Sequence, residues 1–218
     1  MKNVLPFLRD LAENNTREWF QDNKKRYQQA RGEFEEYITK LLPKLALIDK
    51  GLAGLEAKQC VFRIYRDVRF SSDKSPYKTN MGAAMTKGGR KSPYATYYFH
   101  VEPGNVFAAG GIWMPEAPVL KAMRQEVYYN ADEFKAILDA PSFRKYFDGI
   151  SGESLKRPPR DFPADFPDAD LLMYKSYVTV TDFKDDRITT DGFMDELLNA
   201  YRAMYPFNSF INRALAEF

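Results

Sequence analysis

The sequence predicts an α+β fold, in which a central, mainly antiparallel sheet has helices from both chain ends packed on one of its faces. Apolar residues recur with helical spacing in the first fifty residues and again after residue 117. Between residues 60 and 113 the pattern changes to the period-two alternation of strands. The 218 residues are 44% hydrophobic, enough to bury a substantial core, and we expect one domain over residues 1–218.

Helices are expected at both ends of the chain. A first helical segment is indicated in "LPFLRDLAENN", residues 5–15, with Pro6 near its first turn. Thr16 is then a suitable N-cap for one long amphipathic helix that could bend near Pro43. Three short helical segments follow between residues 117 and 149. Two final helices are predicted to close the chain, the second beginning at about Pro206.

The strands of the sheet are expected near residues 60–113 and 172–182. A first strand is predicted in "CVFRIYRDVRF", residues 60–70, where an apolar row alternates with a polar row formed by Arg63, Tyr65, Asp67 and Arg69. A second strand is predicted in "YATYYFHVEP", residues 94–103. A turn at Pro-Gly-Asn then leads to its hairpin partner "VFAAGGIW".

Positive charge is concentrated in one part of the chain. Residues 61–91 hold eight Lys and Arg against two Asp, a net charge of +6, whereas the whole chain carries +2. A local basic region on a mildly acidic body predicts a localised anionic partner, a small phosphate- or carboxylate-bearing ligand.

The candidate ligand-binding residues lie on and after the first predicted strand. Arg63 and Arg69 share its polar face with Tyr65, so their planar guanidinium groups could clamp an extended anion. The alternative is a solvated face on which these arginines form ion pairs with Asp67. The loop that follows adds Lys74 and Lys78. The alternation places Arg66 in the apolar row, where a guanidinium needs a carboxylate partner, and an internal ion pair is the main alternative to a ligand contact there.

His100, the only histidine, is the main candidate for catalysis. It shares a strand face with Glu102, and Asp67 is a third candidate if the strands pair. An imidazole beside a carboxylate is suited to general acid–base work, although such a pair is more often structural. The only cysteine is Cys60, so the sequence predicts no cysteine-based metal site, and we expect no metal and no cofactor.

Other features bound the location and the partners. The N-terminal apolar stretch is too short for a secretory signal and no run approaches a membrane span, so we expect a cytoplasmic protein without a membrane partner. Two alternatives to small-ligand binding stay open: a nucleic-acid-binding module that uses the basic segment and its tyrosines, and a scaffold whose Arg–Asp pairs are internal. The oligomeric state is not predicted.

Several motifs together resemble one protein family. They occur in order over nearly the whole chain: "NNTREWF" at 14–20, "FRIYRDVRFSSDKSPYKT" at 62–79, "YYFHVEPG" at 97–104, "GGIWMPE" at 110–116, "LKRPPRDF" at 155–162 and "ADLLMYKSY" at 169–177. The chain resembles the bacterial and fungal family known as domain of unknown function 2461. The resemblance implies one family domain of this length, and it carries over no activity, substrate, cofactor or catalytic residue.

Overall fold

The computed structural model describes residues 1–69, 71–163 and 165–216. These residues form eight helices and four strands, together with three short 3-10 turns at Lys50–Leu52, Ala169–Leu172 and Asp185–Thr189. In chain order the elements are α1 (Val4–Glu13), α2 (Arg17–Asp22), α3 (Lys24–Ala46), α4 (Ala57–Cys60), β1 (Met81–Thr86), β2 (Thr96–Val101), β3 (Val106–Ile112), α5 (Ala117–Tyr129), α6 (Ala131–Asp139), α7 (Pro141–Arg144), β4 (Tyr177–Phe183) and α8 (Phe193–Arg213). The predicted α+β class is confirmed.

The four strands form one antiparallel sheet in the order β1-β2-β3-β4. Phe99 in β2 pairs with Ala83 on one side and with Ala108 on the other, and Ala108 pairs with Thr181 in β4. Strands that follow one another in sequence are therefore neighbours in the sheet. This includes β3 and β4, although a long helical insertion separates them in the chain.

One face of the sheet is covered by helices from both chain ends. Phe99 is fully buried and stacks on Phe34 of α3 at 5.9 Å between ring centroids. Phe193 at the start of α8 approaches the same ring at 5.8 Å. Gly110 in β3 lies so close to Met204 of α8 that a Cβ there would overlap the thioether, so this glycine allows the helix to approach the sheet. The opposite face of β2 presents Tyr98 and His100.

The N-terminal region contains three helices. α1 lies where a first helical segment is expected, but the prediction of one long helix after Thr16 is wrong, because that stretch is divided into α2 and α3. Thr16 caps α2 as expected, because its side chain accepts a hydrogen bond from the Trp19 amide at 3.2 Å. Asn14 and Asn23 end the first two helices, and each amide side chain donates at 2.9 Å to the backbone carbonyl four residues earlier. Side chains of this kind compete with the backbone for helical hydrogen bonds, which explains both interruptions.

The C-terminal region contains one helix, so the prediction of two is also wrong. α8 runs through Pro206 without ending. Proline removes one backbone donor and disfavours a helix interior. Here the loss is outweighed because Phe207, Phe210 and Ile211, which follow the proline, are all buried in the core. Trp113, which follows β3, is 66% exposed.

The largest departure from the predicted sheet is at residues 61–69, which form no regular strand. Val61 pairs with Ala83, and Tyr65 with Tyr77, only as isolated antiparallel bridges. The described residues of the segment 61–79 instead fold back as a loop, and β1, which follows it, is an edge strand of the sheet. The predicted partition into an apolar and a polar strand face therefore does not apply, and Phe70 of its apolar row lies outside the described residues.

Candidate anion-binding site

The loop 61–79 is held in place by aromatic packing on the N-terminal helices. Tyr77 is buried and stacks on Phe20 of α2 at 3.9 Å between ring centroids. The Asn15 side chain bonds to both the amide and the carbonyl of Tyr77, at 3.1 and 3.0 Å. Tyr65 packs at the edge of this cluster, 5.4 Å from Tyr77 and 6.2 Å from Phe20, and is 50% exposed. Tyr65 therefore contributes to loop packing.

Three basic side chains of the loop have partners within the loop, and two of them form ion pairs. Arg69 donates to both carboxylate oxygens of Asp67, at 2.9 and 2.6 Å. These hydrogen bonds hold the pKa of Asp67 at about 2, well below its usual range. Arg66 pairs with Asp73. Lys74 donates at 3.0 Å to a backbone carbonyl of the same loop. These contacts close the turn and leave Asp67 engaged by Arg69, away from His100.

A second group of cations has a different environment. We call Arg63, Lys78 and Arg90 the basic cluster. The Lys78 ammonium lies 5.4 Å from the ring centroid of Phe62, and the Arg90 guanidinium lies 5.2 Å from the same centroid. Arg90 also donates to the carbonyl of Val61 at 2.8 Å. Within the described part of the chain, no carboxylate lies within 4.0 Å of the charged nitrogens of the basic cluster.

Lys78 is the least solvated member of the basic cluster. Its side chain is half-buried, whereas Arg63 and Arg90 are exposed. Burial lowers the pKa of Lys78, and the positive charges of Arg63 and Arg90 lower it further. The three cations therefore repel one another, and the nearby carboxylate that Arg63 influences, Asp67, is hydrogen-bonded to Arg69.

Lys78 also lines an open cleft. The cleft has a volume of about 410 Å³ and is bordered by Arg66, Asp67, Lys78, Thr79 and Asn80. Its wall is therefore made largely of polar and charged side chains from both halves of the loop. A cleft of this size and lining is suited to a small, polar, charged molecule.

A chain of hydrogen bonds begins at the same cleft and continues along the face of the sheet opposite the helices. We call Thr79, Glu102, His100 and Tyr98 the polar chain. Thr79 Oγ1 donates to Glu102 Oε1 at 2.6 Å, and Glu102 Oε2 lies 3.4 Å from His100 Nε2. His100 Nδ1 in turn lies 3.0 Å from the Tyr98 hydroxyl. The Tyr98 ring contacts Phe62 edge-on at 6.3 Å, so this end of the polar chain packs on the ring over which Lys78 and Arg90 lie.

The electrostatics of the polar chain fix the direction of its hydrogen bonds. Burial lowers the pKa of His100, which Glu102 only partly offsets, so the imidazole is neutral at pH 7. Burial raises the pKa of Glu102, but hydrogen bonds from Thr79, Asn105 and His100 outweigh it and lower the pKa overall. Because an ionised carboxylate can only accept, His100 carries its proton on Nε2. Nδ1 therefore accepts from the Tyr98 hydroxyl, whose pKa is raised to about 12 mainly by burial.

His100 is further held by stacking. Its ring lies 4.5 Å from that of Phe107 on β3, with an angle of 14° between the two planes. The side chain is 7% exposed. The imidazole is therefore fixed in orientation, with both ring nitrogens engaged, and protons can pass between Tyr98 and Glu102 through it.

Comparison with known proteins assigns the chain to a family. Residues 3–210 match the model of a family described as "Conserved hypothetical protein (DUF2461)". The chain belongs to this family. No curated protein matches it, and no solved structure matches it. The basic cluster and the polar chain of this DUF2461 protein lie entirely within the matched residues. In the ranges that the structure describes, no helix has both the length and the apolar character needed to cross a membrane.

The structure of this DUF2461 protein separates the residues that the sequence groups together. Lys78 lines the cleft and is under the electrostatic influence of Arg63, and His100 contacts Glu102. Arg69 and Asp67 bond to each other, so the predicted clamp between Arg63 and Arg69 on one strand face does not form, and Asp67 does not join His100.

Sequence reasoning missed Tyr98, Thr79 and Arg90 as site residues. Tyr98 shares its strand face with His100 in the period-two pattern, so that pattern could have identified it. Arg90 lies in the hairpin loop between β1 and β2, and its position beside Phe62 depends on a contact distant in sequence. Thr79 has no sequence signal that separates it from other loop hydroxyls.

Proposed function

We propose that this protein binds a small anionic ligand, carrying a phosphate or a carboxylate, at the basic cluster in the cleft. One observation carries the proposal: in the described residues no carboxylate lies within 4.0 Å of the charged nitrogens of Arg63, Lys78 and Arg90. Lys78 and Arg90 both lie over the Phe62 ring, while Arg66 and Arg69 of the same loop are paired with acids. A half-buried ammonium between two guanidinium groups is costly unless an anion joins it.

The proposed ligand would receive several charge-assisted hydrogen bonds. Each such bond contributes about 1.5–3 kcal/mol, and a guanidinium can donate two parallel bonds to one phosphate or carboxylate. Among the described residues the Arg63 side chain has no hydrogen bond and no ion pair, so it can turn toward the cleft. The anion would also relieve the repulsion among the three cations.

Acid–base chemistry on the bound ligand is part of the proposal. Thr79 borders the cleft and connects it through Glu102 to His100. His100 would exchange the proton while Glu102 stabilises the imidazolium form. Asp67, the other carboxylate considered from the sequence, is engaged by Arg69 and has no part in this step.

Thermal stability in the presence of anions tests the binding proposal. Melting would be followed against inorganic phosphate, sulfate and a panel of phosphorylated and carboxylated metabolites. We expect saturable stabilisation of the wild-type protein, because a ligand that binds only the folded state raises its stability. The Arg63→Met and Lys78→Met variants should lose the effect. Lys74→Met is the matched control, since it removes the same charge four residues from Lys78 but at an ammonium bound to a backbone carbonyl.

Two results would reject this function. The first is the absence of stabilisation by every member of the panel. The second is an equal loss of stabilisation in Lys74→Met and Lys78→Met, which would indicate a general response to charge. A 20-nucleotide single-stranded DNA should bind wild-type and Lys78→Met protein equally. Binding that needs Lys78 and weakens steeply with salt would favour the nucleic-acid alternative instead.

A further inference from the structure

We propose that Lys78 is a reactive amine that forms an imine with an aldehyde or ketone whose anionic group is held by Arg63 and Arg90. The inference rests on the proposed anion site and specifies its ligand class, a carbonyl compound that carries a phosphate or a carboxylate. It also gives Lys78 a chemical role, where simple anion binding would need only its charge.

The position of Lys78 is suited to this role. Its ammonium lies over the Phe62 ring, and its side chain lines the cleft beside Thr79. In the part of the chain that the structure covers, Lys78 forms no ion pair and its amine donates no hydrogen bond. The amine is therefore open toward the cleft and is not committed to a structural contact.

The surroundings of Lys78 favour its neutral form, the form that attacks a carbonyl. Partial burial disfavours the ammonium, and the two guanidinium groups oppose a third positive charge. Lysines activated as nucleophiles are typically desolvated or placed beside another cation, and Lys78 has both features. Lys74 has a different environment. It is exposed, and its ammonium donates to a backbone carbonyl, so it stabilises the conformation of the loop.

The proposed step balances without any further reactant. The Lys78 nitrogen attacks the carbonyl carbon, a C–N bond forms, and the carbonyl oxygen takes up a proton to give a carbinolamine. The C–O bond then breaks as the C=N bond forms. Both amine hydrogens leave with that oxygen as water.

The polar chain offers a route for the proton that this step moves. Thr79 follows Lys78 directly in the chain, and its hydroxyl donates to Glu102 at 2.6 Å. Glu102 is in turn connected to His100. A proton released at the amine can therefore pass toward Glu102 and return to the departing oxygen.

Reductive trapping tests the inference with pyridoxal 5′-phosphate as the probe. The folded protein would be treated with less than one equivalent of the probe and then with borohydride, which fixes an imine as a stable secondary amine. Peptide mass spectrometry would give the share of label at each lysine. We expect Lys78 to be labelled before Lys74, inorganic phosphate to suppress the label at Lys78, and pyridoxal without the phosphate to label it less.

The Lys78→Arg variant separates imine formation from anion binding. It keeps the positive charge, so phosphate should still stabilise it, but it should lose the main site of label. A uniform distribution of label among lysines, or equal labelling of Lys78 and Lys74, would overturn the inference even if phosphate stabilises the wild-type protein. Preferential labelling of Lys78 that phosphate does not suppress would instead contradict the anion site. If Lys78→Arg does not fold, phosphate competition in the wild-type protein still decides between these outcomes.

Discussion

Replacement of Gly82 by alanine should disconnect the polar chain. Gly82 lies on β1 opposite His100 in the strand register, and the Tyr98 side chain passes directly over it. A Cβ at Gly82 would lie 2.5 Å from the Tyr98 hydroxyl oxygen and 3.1 Å from the ring carbon that bears it, whereas ordinary contacts begin near 3.4 Å. Tyr98 must therefore move, and its 3.0 Å hydrogen bond to His100 must lengthen or break.

The expected cost follows from three contributions. Overpacking of this kind costs about 1–3 kcal/mol. Loss of the Tyr98–His100 hydrogen bond costs about 1 kcal/mol more. The better strand propensity of alanine compared with glycine offsets about 0.5–1 kcal/mol of this loss in stability. We therefore expect Gly82→Ala to lower the free energy of unfolding by roughly 1–3 kcal/mol.

Urea unfolding and NMR of the imidazole measure the two consequences separately. His100 is the only histidine in the chain, so its ring gives one set of signals without any assignment step. Gly82→Ala should shift the Nδ1 resonance, and Tyr98→Phe should do the same. In the Tyr98→Phe background the oxygen is gone, so Gly82→Ala should cost clearly less than in the wild type. Gly32→Ala is the control, because outside its chain neighbours and the backbone of its own helix no described atom lies within 4 Å of the added Cβ, so it should raise stability through helix propensity alone and leave the Nδ1 resonance unchanged. An unchanged Nδ1 resonance together with unchanged stability in Gly82→Ala would refute the geometry of the polar chain.

Two further predictions concern pH and backbone strain. The pKa of His100 in the folded protein is below its ordinary value of 6.5, so the unfolded chain binds a proton at this residue more readily. The stability that comes from the neutral, buried imidazole is therefore complete above about pH 6.5 and decreases as the pH falls below that value. The urea midpoint should therefore fall less between pH 7.5 and 5.5 in His100→Gln than in the wild type, and an equal fall in both would contradict the assignment. Met114 adopts φ 47° and is 74% exposed. Left-handed backbone costs a residue with a side chain about 1–2 kcal/mol, and the extra conformational entropy of glycine in the unfolded chain offsets only part of that gain, so Met114→Gly should raise the free energy of unfolding by roughly 0.5–1 kcal/mol. A destabilised variant would show that the Met114 side chain contributes packing.

Periodicity predicted the elements that bury one continuous face. β2 and β3 and the helices between residues 117 and 149 appear where the pattern places them, because each alternates or repeats against the core. The pattern gave no warning of β1, "MGAAMT", in which all six residues are buried and small residues face Tyr98. A strand packed on both sides does not alternate, so period two cannot reveal it.

The segment 61–69 shows why the first predicted strand was wrong. Its residues alternate in polarity, yet a strand needs continuous pairing with a neighbour, and Val61 and Tyr65 each make only a single bridge. The alternating polarity of the segment has a different cause. Its aromatic residues are needed for the packing of Tyr65 and Tyr77 on α2, and its charged residues form ion pairs inside the loop. The local sequence shows which residues could form the site. Their partners are determined by contacts between residues distant in sequence, which a local pattern of polarity does not predict.

The division of charge within the loop connects its fold to its proposed function. Arg66 and Arg69 pair with Asp73 and Asp67, acids seven and two residues away, so these four charges shape the turn and largely cancel. Exposed pairs of this type contribute at most about 1 kcal/mol each, which makes them a means of setting loop conformation and not a major source of stability. Lys78 lies outside this arrangement, since Phe62 and Arg90 come to it from other parts of the loop and from the β1–β2 hairpin. A cluster of like charges assembled from separate segments destabilises the folded chain unless an anion offsets it, and this is the physical basis of the anion-binding function that we propose.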